Sequence, residues 1–158
     1  MRSKGKKSAL AASRLTPPAS PGCELCSAAG GEVLWQDALC RVVLVADSDY
    51  PGFCRVIWNA HVREMTDLDS AERQHCMRVV FAVEQALRSA LKPHKINLAS
   101  LGNLTPHLHW HVISRYEDDA HFPHSIWGER VRPGSRRNAA DAALKLRAAL
   151  AACLSKSL

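Results

Sequence analysis

The sequence predicts an α+β domain: one antiparallel sheet of about five strands, a long crossover helix and a C-terminal helix. Three observations carry this. From His107 to Ile113, histidines alternate with Leu108, Trp110 and Val112, which is the period of a strand. Ala71, Cys76, Val79, Val80, Ala82, Val83, Ala86 and Leu87 recur instead at helical spacing. Short β-branched runs, Cys40-Arg41-Val42-Val43-Leu44-Val45 above all, are separated by Gly, Pro, Asn and Asp.

The 158 residues suffice for one domain with a real core, and 47% hydrophobic with 23% charged is a globular composition. No apolar run approaches a bilayer span. The net charge of +6 is concentrated in residues 1–22, where Arg2, Lys4, Lys6, Lys7 and Arg14 meet no acid. The remaining chain is close to neutral, which argues against a nucleic-acid-binding face. Residues 1–22 read as a disordered basic tail, or alternatively a transit peptide, and 23–158 as a single domain. Six cysteines without a secretory signal point to a reducing, cytoplasmic setting.

Glu32 to Asp37, Leu39 to Ala46 and Phe53 to Trp58 read as three strands. The turn Asp47-Ser48-Asp49-Tyr50-Pro51-Gly52 precedes the third. Acids at Asp67, Asp69 and Glu72 mark a helix start, and Lys92-Pro93 its end near Ala90. Lys95 to Leu101 and Leu108 to Ser114 complete the strands, and Ala139 to Leu154 forms the closing helix. Tyr116 to Gly134 carries no regular pattern. Its His121, His124 and Trp127 belong to a lid, a dimer arm or a surface loop. His75 and His94 read as exposed, and Arg130, Arg132, Arg136 and Arg137 as a basic run facing solvent or polyphosphate.

In a strand, His107, His109 and His111 share one face, about 6.5–7 Å apart. Imidazoles titrate near neutrality, so such a row suits nucleophilic attack, proton transfer or metal ligation. Cys23-Glu24-Leu25-Cys26 is a metal half-site, a redox pair or a pair of exposed thiols. Asn97 and Asn103 are either hydrogen-bond donors to a ligand or turn formers beside Gly102.

From Cys23 to Trp127 the chain resembles the histidine triad (HIT) superfamily, in particular bacterial proteins of the diadenosine-polyphosphate hydrolase type. The resemblance rests on Cys23 to Cys26, Tyr50 to His61, Asn97 to Asn103 and His107 to Arg115. It implies a nucleotide hydrolase that opens a phosphoanhydride or phosphoramidate on a nucleoside monophosphate. His109 would be the nucleophile, forming a nucleotidyl-histidine, and His111 its phosphate-contacting partner. It implies substrate contacts from Asn97, Asn103, Thr105 and Asp47, although Asp47 is also a plain turn acid by its spacing. Asn103 and Leu104 stand where the family usually carries Gln and Ser or Thr, which bears on substrate identity. It further implies a structural zinc on Cys23, Cys26, His61 and His107, with no cofactor needed for the chemistry, and a homodimer. Two alternatives share these residues: a nucleotidyltransferase using the same intermediate, and a zinc-stabilised nucleotide-binding protein without significant catalysis.

Overall fold

The computed structural model describes residues 19–134 and 137–157, so the basic tail up to residue 18 and Arg136 lie outside the described residues. The architecture is α+β as expected. A short knuckle, α1 (Glu24–Ser27), precedes β1 (Glu32–Gln36), β2 (Cys40–Leu44) and β3 (Cys54–Trp58). Helix α2 (Ser70–Leu91) then crosses to β4 (Lys95–Ala99), β5 (His109–Arg115) follows, and α3 (Ala139–Ser157) closes the chain. The sheet order is β1-β2-β3-β5-β4, every neighbouring pair antiparallel. Strand β5 therefore enters between β3 and β4 and is buried along almost its whole length.

Strand alternation sorts the sheet's faces. Val42, Cys54, Val56, Trp58, Ile96, Leu108 and Val112 point to one side, where Cys76, Val79, Val80, Val83, Ala86 and Leu87 of α2 cover them. Leu146, Leu150 and Leu154 of α3 join the same core. The acids that mark the start of α2 form a capping box: Asp69 Oδ1 accepts from Glu72 N–H at 2.9 Å, and Glu72 Oε2 accepts from Asp69 N–H at 2.8 Å. Lys92 ends the helix in the left-handed conformation, immediately before Pro93.

The other face is covered at its two ends. At one end Leu25 of α1 packs on Val43 and Ile57. Gly30 permits this close approach: a Cβ there would fall 2.8 Å from Leu25 and 2.9 Å from Ile57, at a φ of +83°. At the other end Tyr50, Phe53 and Ile113 form a small cluster roofed by Ile126. The segment 116–134 contains turns and no helix or strand. Between the two coverings lie His109 and His111.

Candidate active site and metal centre

Residue alternation on β5 puts His109, His111, Ile113 and Arg115 on the partly covered face, while Trp110 and Val112 go into the core. The rings of His109 and His111 meet edge to face, 4.7 Å between centroids, and each residue is only 6% exposed. The strand begins at His109, so His107 stands just before it. Freed from the pleat, its ring turns toward the knuckle.

Hydrogen bonds fix the two ring nitrogens of His107 and His109 in distinct roles. His109 Nδ1 lies 2.6 Å from the His107 carbonyl oxygen, so it carries the proton and donates it. Nε2 is left with its lone pair. Burial lowers the His109 pKa below the ordinary histidine value, and the charge of Arg55 pushes the same way against the stabilising His107 bond. Burial, then His109 and Arg55, lower His111 to about 4. Both rings are neutral at physiological pH. The Nδ1 of His111 is buried without a hydrogen-bond partner.

The knuckle supplies the metal half-site. His107 Nδ1 is 3.4 Å from Cys23 Sγ and 3.5 Å from Cys26 Sγ, and His61 Nδ1 is 3.3 Å from Cys26 Sγ. Zinc bonds of about 2.3 Å to sulfur and 2.0–2.1 Å to nitrogen give a tetrahedron with S···N edges of about 3.5 Å. The four donors fit that figure. His107 Nε2 donates to the Trp58 carbonyl at 2.6 Å, which leaves Nδ1 free as a ligand. Burial raises the Cys26 thiol above its ordinary pKa and lowers that of His107.

A second group, Asp37, Cys40 and His75, has its donor atoms close together but does not fit a metal. His75 Nε2 is 2.7 Å from Asp37 Oδ2. Two ligands on one tetrahedral ion at these bond lengths would stand about 3.3 Å apart. This corrects the expectation that His75 is exposed: it is largely buried, edge-on to Trp58, and ties α2 to the β1–β2 turn.

The remaining expected site residues are placed as follows. Asn97 lies on β4, where its Oδ1 accepts from Arg115 Nη1 at 2.6 Å, so it is no turn former. Asn103 is exposed in the β4–β5 loop and Thr105 half-buried there, and neither side chain has a hydrogen-bond partner among the described residues. The Thr105 carbonyl accepts from His107 N–H at 2.8 Å. Asp47 serves its turn, with Oδ1 accepting from the N–H of Asp49 and Tyr50 at 2.9 and 3.2 Å. Of the basic run, Arg130 pairs with Asp49 and Arg137 with Asp118, while Arg132 bonds the carbonyls of Asp119 and Phe122.

Residues 116–134 fold over the site. Asp119, 1% exposed, accepts from Arg115 Nε at 2.7 Å and Nη2 at 3.0 Å, and from the N–H groups of Tyr116, His121 and Phe122. Burial alone would raise its pKa, but those donors outweigh it and hold it at about 2. This anchor sets Trp127 edge-on against His111, 5.0 Å between centroids and half-exposed at the mouth. Asp119→Asn should cost about 3 kcal/mol by leaving Arg115 buried without its counter-charge, as read from the urea unfolding midpoint. Nothing in the spacing of Tyr116 to Gly134 announces this network.

The sequence reading also gave Arg55 no role. The signal is an alternation: Phe53 just before β3, then Arg55 and Ile57 on it, where a cation interrupts an otherwise apolar row.

A five-stranded antiparallel sheet with a helix-covered face, and a histidine row on an inner strand of its other face, defines the histidine triad class. The chain belongs to the HIT domain family, which matches residues 28–118. The two thiols of the knuckle precede the matched span. An Ap-4-A phosphorylase of Mycobacterium tuberculosis is 30% identical over 124 residues, 73% of this chain. The chain spans 64% of the length of that curated relative. Among solved structures, a histidine triad protein of Bradyrhizobium japonicum is 29% identical, with a TM-score of 0.63 over 77% of this chain and 90% of its own. One from Marinobacter aquaeolei is 26% identical, with a TM-score of 0.66 over 85% and 96%. A zinc-bound histidine triad family protein of Mycobacterium smegmatis shares the fold at 21% identity, with a TM-score of 0.62 over 85% and 97%.

Proposed function

We propose that this chain is a nucleotide-processing enzyme that cleaves a diadenosine polyphosphate or a related adenylylated compound through a nucleotidyl-histidine. The observation that carries the reading is the 2.6 Å bond from His109 Nδ1–H to the His107 carbonyl. It leaves an unprotonated Nε2 on a neutral ring, which is what an imidazole nucleophile requires. Nε2 attacks the α-phosphorus and the bond to the leaving polyphosphate breaks. Water then takes the nucleotidyl group and regenerates the imidazole. His111 contacts the phosphate, and Asn97, Asn103 and Thr105 are the candidate donors around it, with Asp47 the weakest candidate.

A structural zinc on Cys23, Cys26, His61 and His107 is supported by the donor spacing and by the zinc-bound relative of M. smegmatis. With four protein ligands it has no open position, so it holds the knuckle in place and takes no part in the reaction. We also infer a homodimer. Among the described residues the outer edge of β4 is unpaired, and Phe81 on α2 and Leu101 in the loop after β4 are each 54% exposed. A chain with six cysteines, of which Cys40, Cys54 and Cys76 are buried thiols, suits a reducing cytoplasm.

A second reading, phosphorolysis, is favoured by the name of the M. tuberculosis relative. There orthophosphate takes the nucleotidyl group in place of water, so diadenosine tetraphosphate gives ATP and ADP instead of ATP and AMP. One experiment addresses both. Rapid mixing with diadenosine tetraphosphate, followed by intact-protein mass measurement, should show a transient adenylyl adduct. Chromatography with and without phosphate then reads AMP against ADP. No adduct and no turnover would turn the reading to a nucleotide-binding protein.

A further inference from the structure

The β3–β5 register sets Arg55 directly opposite His111 and Ile57 opposite His109. Cross-strand partners share a face, so a guanidinium stands beside the two histidines, one strand away. Its charge reaches both rings, whose proton affinity it lowers.

This cation is poorly satisfied by the protein. Its Nη1 reaches the Gly30 carbonyl only at 3.4 Å, and its Nε is buried without a partner. The Phe53 ring, 5.8 Å from the guanidinium carbon, lies under it, and no carboxylate pairs with it among the described residues. Arg55 is half-buried, and drawing a charge even partly out of water without a counter-charge is costly. At the same register level, His111 Nδ1 is the other orphaned polar atom of the site. Two unsatisfied groups on directly paired residues of neighbouring strands call for an anion with several acceptor oxygens. Between strands about 4.8 Å apart, phosphate has that form, and guanidinium is its planar bidentate partner.

We propose that Arg55 binds the leaving polyphosphate, and that it makes the site prefer phosphoanhydrides over phosphoramidates. The inference rests on the reading of His109 as the attacking group. With the α-phosphorus at His109 and His111, the next phosphate along the chain falls to the cation one strand over. An amine leaving group offers that cation no charge.

The test separates anion binding from turnover. Inorganic tripolyphosphate is titrated into the wild type, Arg55→Lys and Arg55→Met, with circular dichroism confirming the fold of each. Arg55→Met should bind about thirtyfold more weakly, and Arg55→Lys should fall between it and the wild type, keeping the charge but losing the bidentate fork. Undiminished binding to Arg55→Met overturns the proposal. If Arg55→Met does not fold, Arg55→Gln takes its place with the same expectation. In turnover, kcat/KM for diadenosine tetraphosphate should fall at least about tenfold more than for adenosine 5′-phosphoramidate. Equal losses on both substrates overturn the assignment to the leaving group. Should the wild type turn over neither substrate, the His109 mechanism fails and the tripolyphosphate titration still decides the role of Arg55.

Discussion

His109→Ala should lower kcat on diadenosine tetraphosphate by at least about 10⁴-fold, equivalent to about 5.5 kcal/mol of barrier. The size follows from what the residue supplies. A covalent route splits one hard displacement into two, and without the imidazole only direct attack by water remains. The substitution leaves His111 and the Asp119 anchor in place, so AMP should bind within about threefold of the wild type. That pairing, lost turnover with retained binding, separates a nucleophile from a structural histidine. The pH profile gives an independent check. The active form of His109 is unprotonated, so activity is present above its pKa and is lost as pH falls through it. Burial and Arg55 lower that pKa, so the acid limb should lie below 6.5, the ordinary histidine value. Turnover above about 1% in the alanine variant, or an acid limb above 6.5, would sink the mechanism.

Much of this site was legible because its chemistry is periodic. The alternation from His107 to Val112 marks the strand and the face shared by His109 and His111. The recurrence from Cys76 to Leu87 named the helix on the opposite face, and Asp69 with Glu72 marked where that helix starts. What escaped depends on long-range packing, for which a local period carries no signal. The segment after Arg115 is ordered by one buried carboxylate that gathers donors from its own turn and from β5. Asp119 resembles any turn acid until the fold closes around it. His75 looks exposed in the sequence because its partner, Asp37, lies 38 positions earlier and meets it only once α2 crosses the sheet. Even within the row, the pleat described only His109 and His111. His107 left the strand because two thiols 84 and 81 positions away stand beside its Nδ1.

Those thiols set the second large effect. Exhaustive chelation should lower the unfolding midpoint of the wild type by about 8–16 °C, while Cys26→Ser should melt low with or without chelator. At free zinc a thousandfold above Kd, binding to the folded chain alone contributes about 4 kcal/mol, and a chain of this length shifts by about 2–4 °C per kcal/mol. Cys26 is the sharper choice of the two thiols, since its sulfur stands within 3.5 Å of both imidazoles. Replacing it leaves three donors and an incomplete tetrahedron. The damage should also be local. The knuckle touches the sheet through Leu25 on Val43 and Ile57, a cluster separate from the main core under α2 and α3. The amides of α1 and of Gly30 and Gly31 should therefore lose hydrogen-exchange protection first, with those of β5 and α2 retained. Because the His107 carbonyl holds His109 in its tautomer, metal loss should reach the nucleophile too, lowering kcat more than it raises KM. One zinc per chain in the untreated protein, absent in Cys26→Ser, is the stoichiometry expected. An unchanged midpoint on metal removal would leave Cys23 and Cys26 as a thiol pair packed beside two histidines.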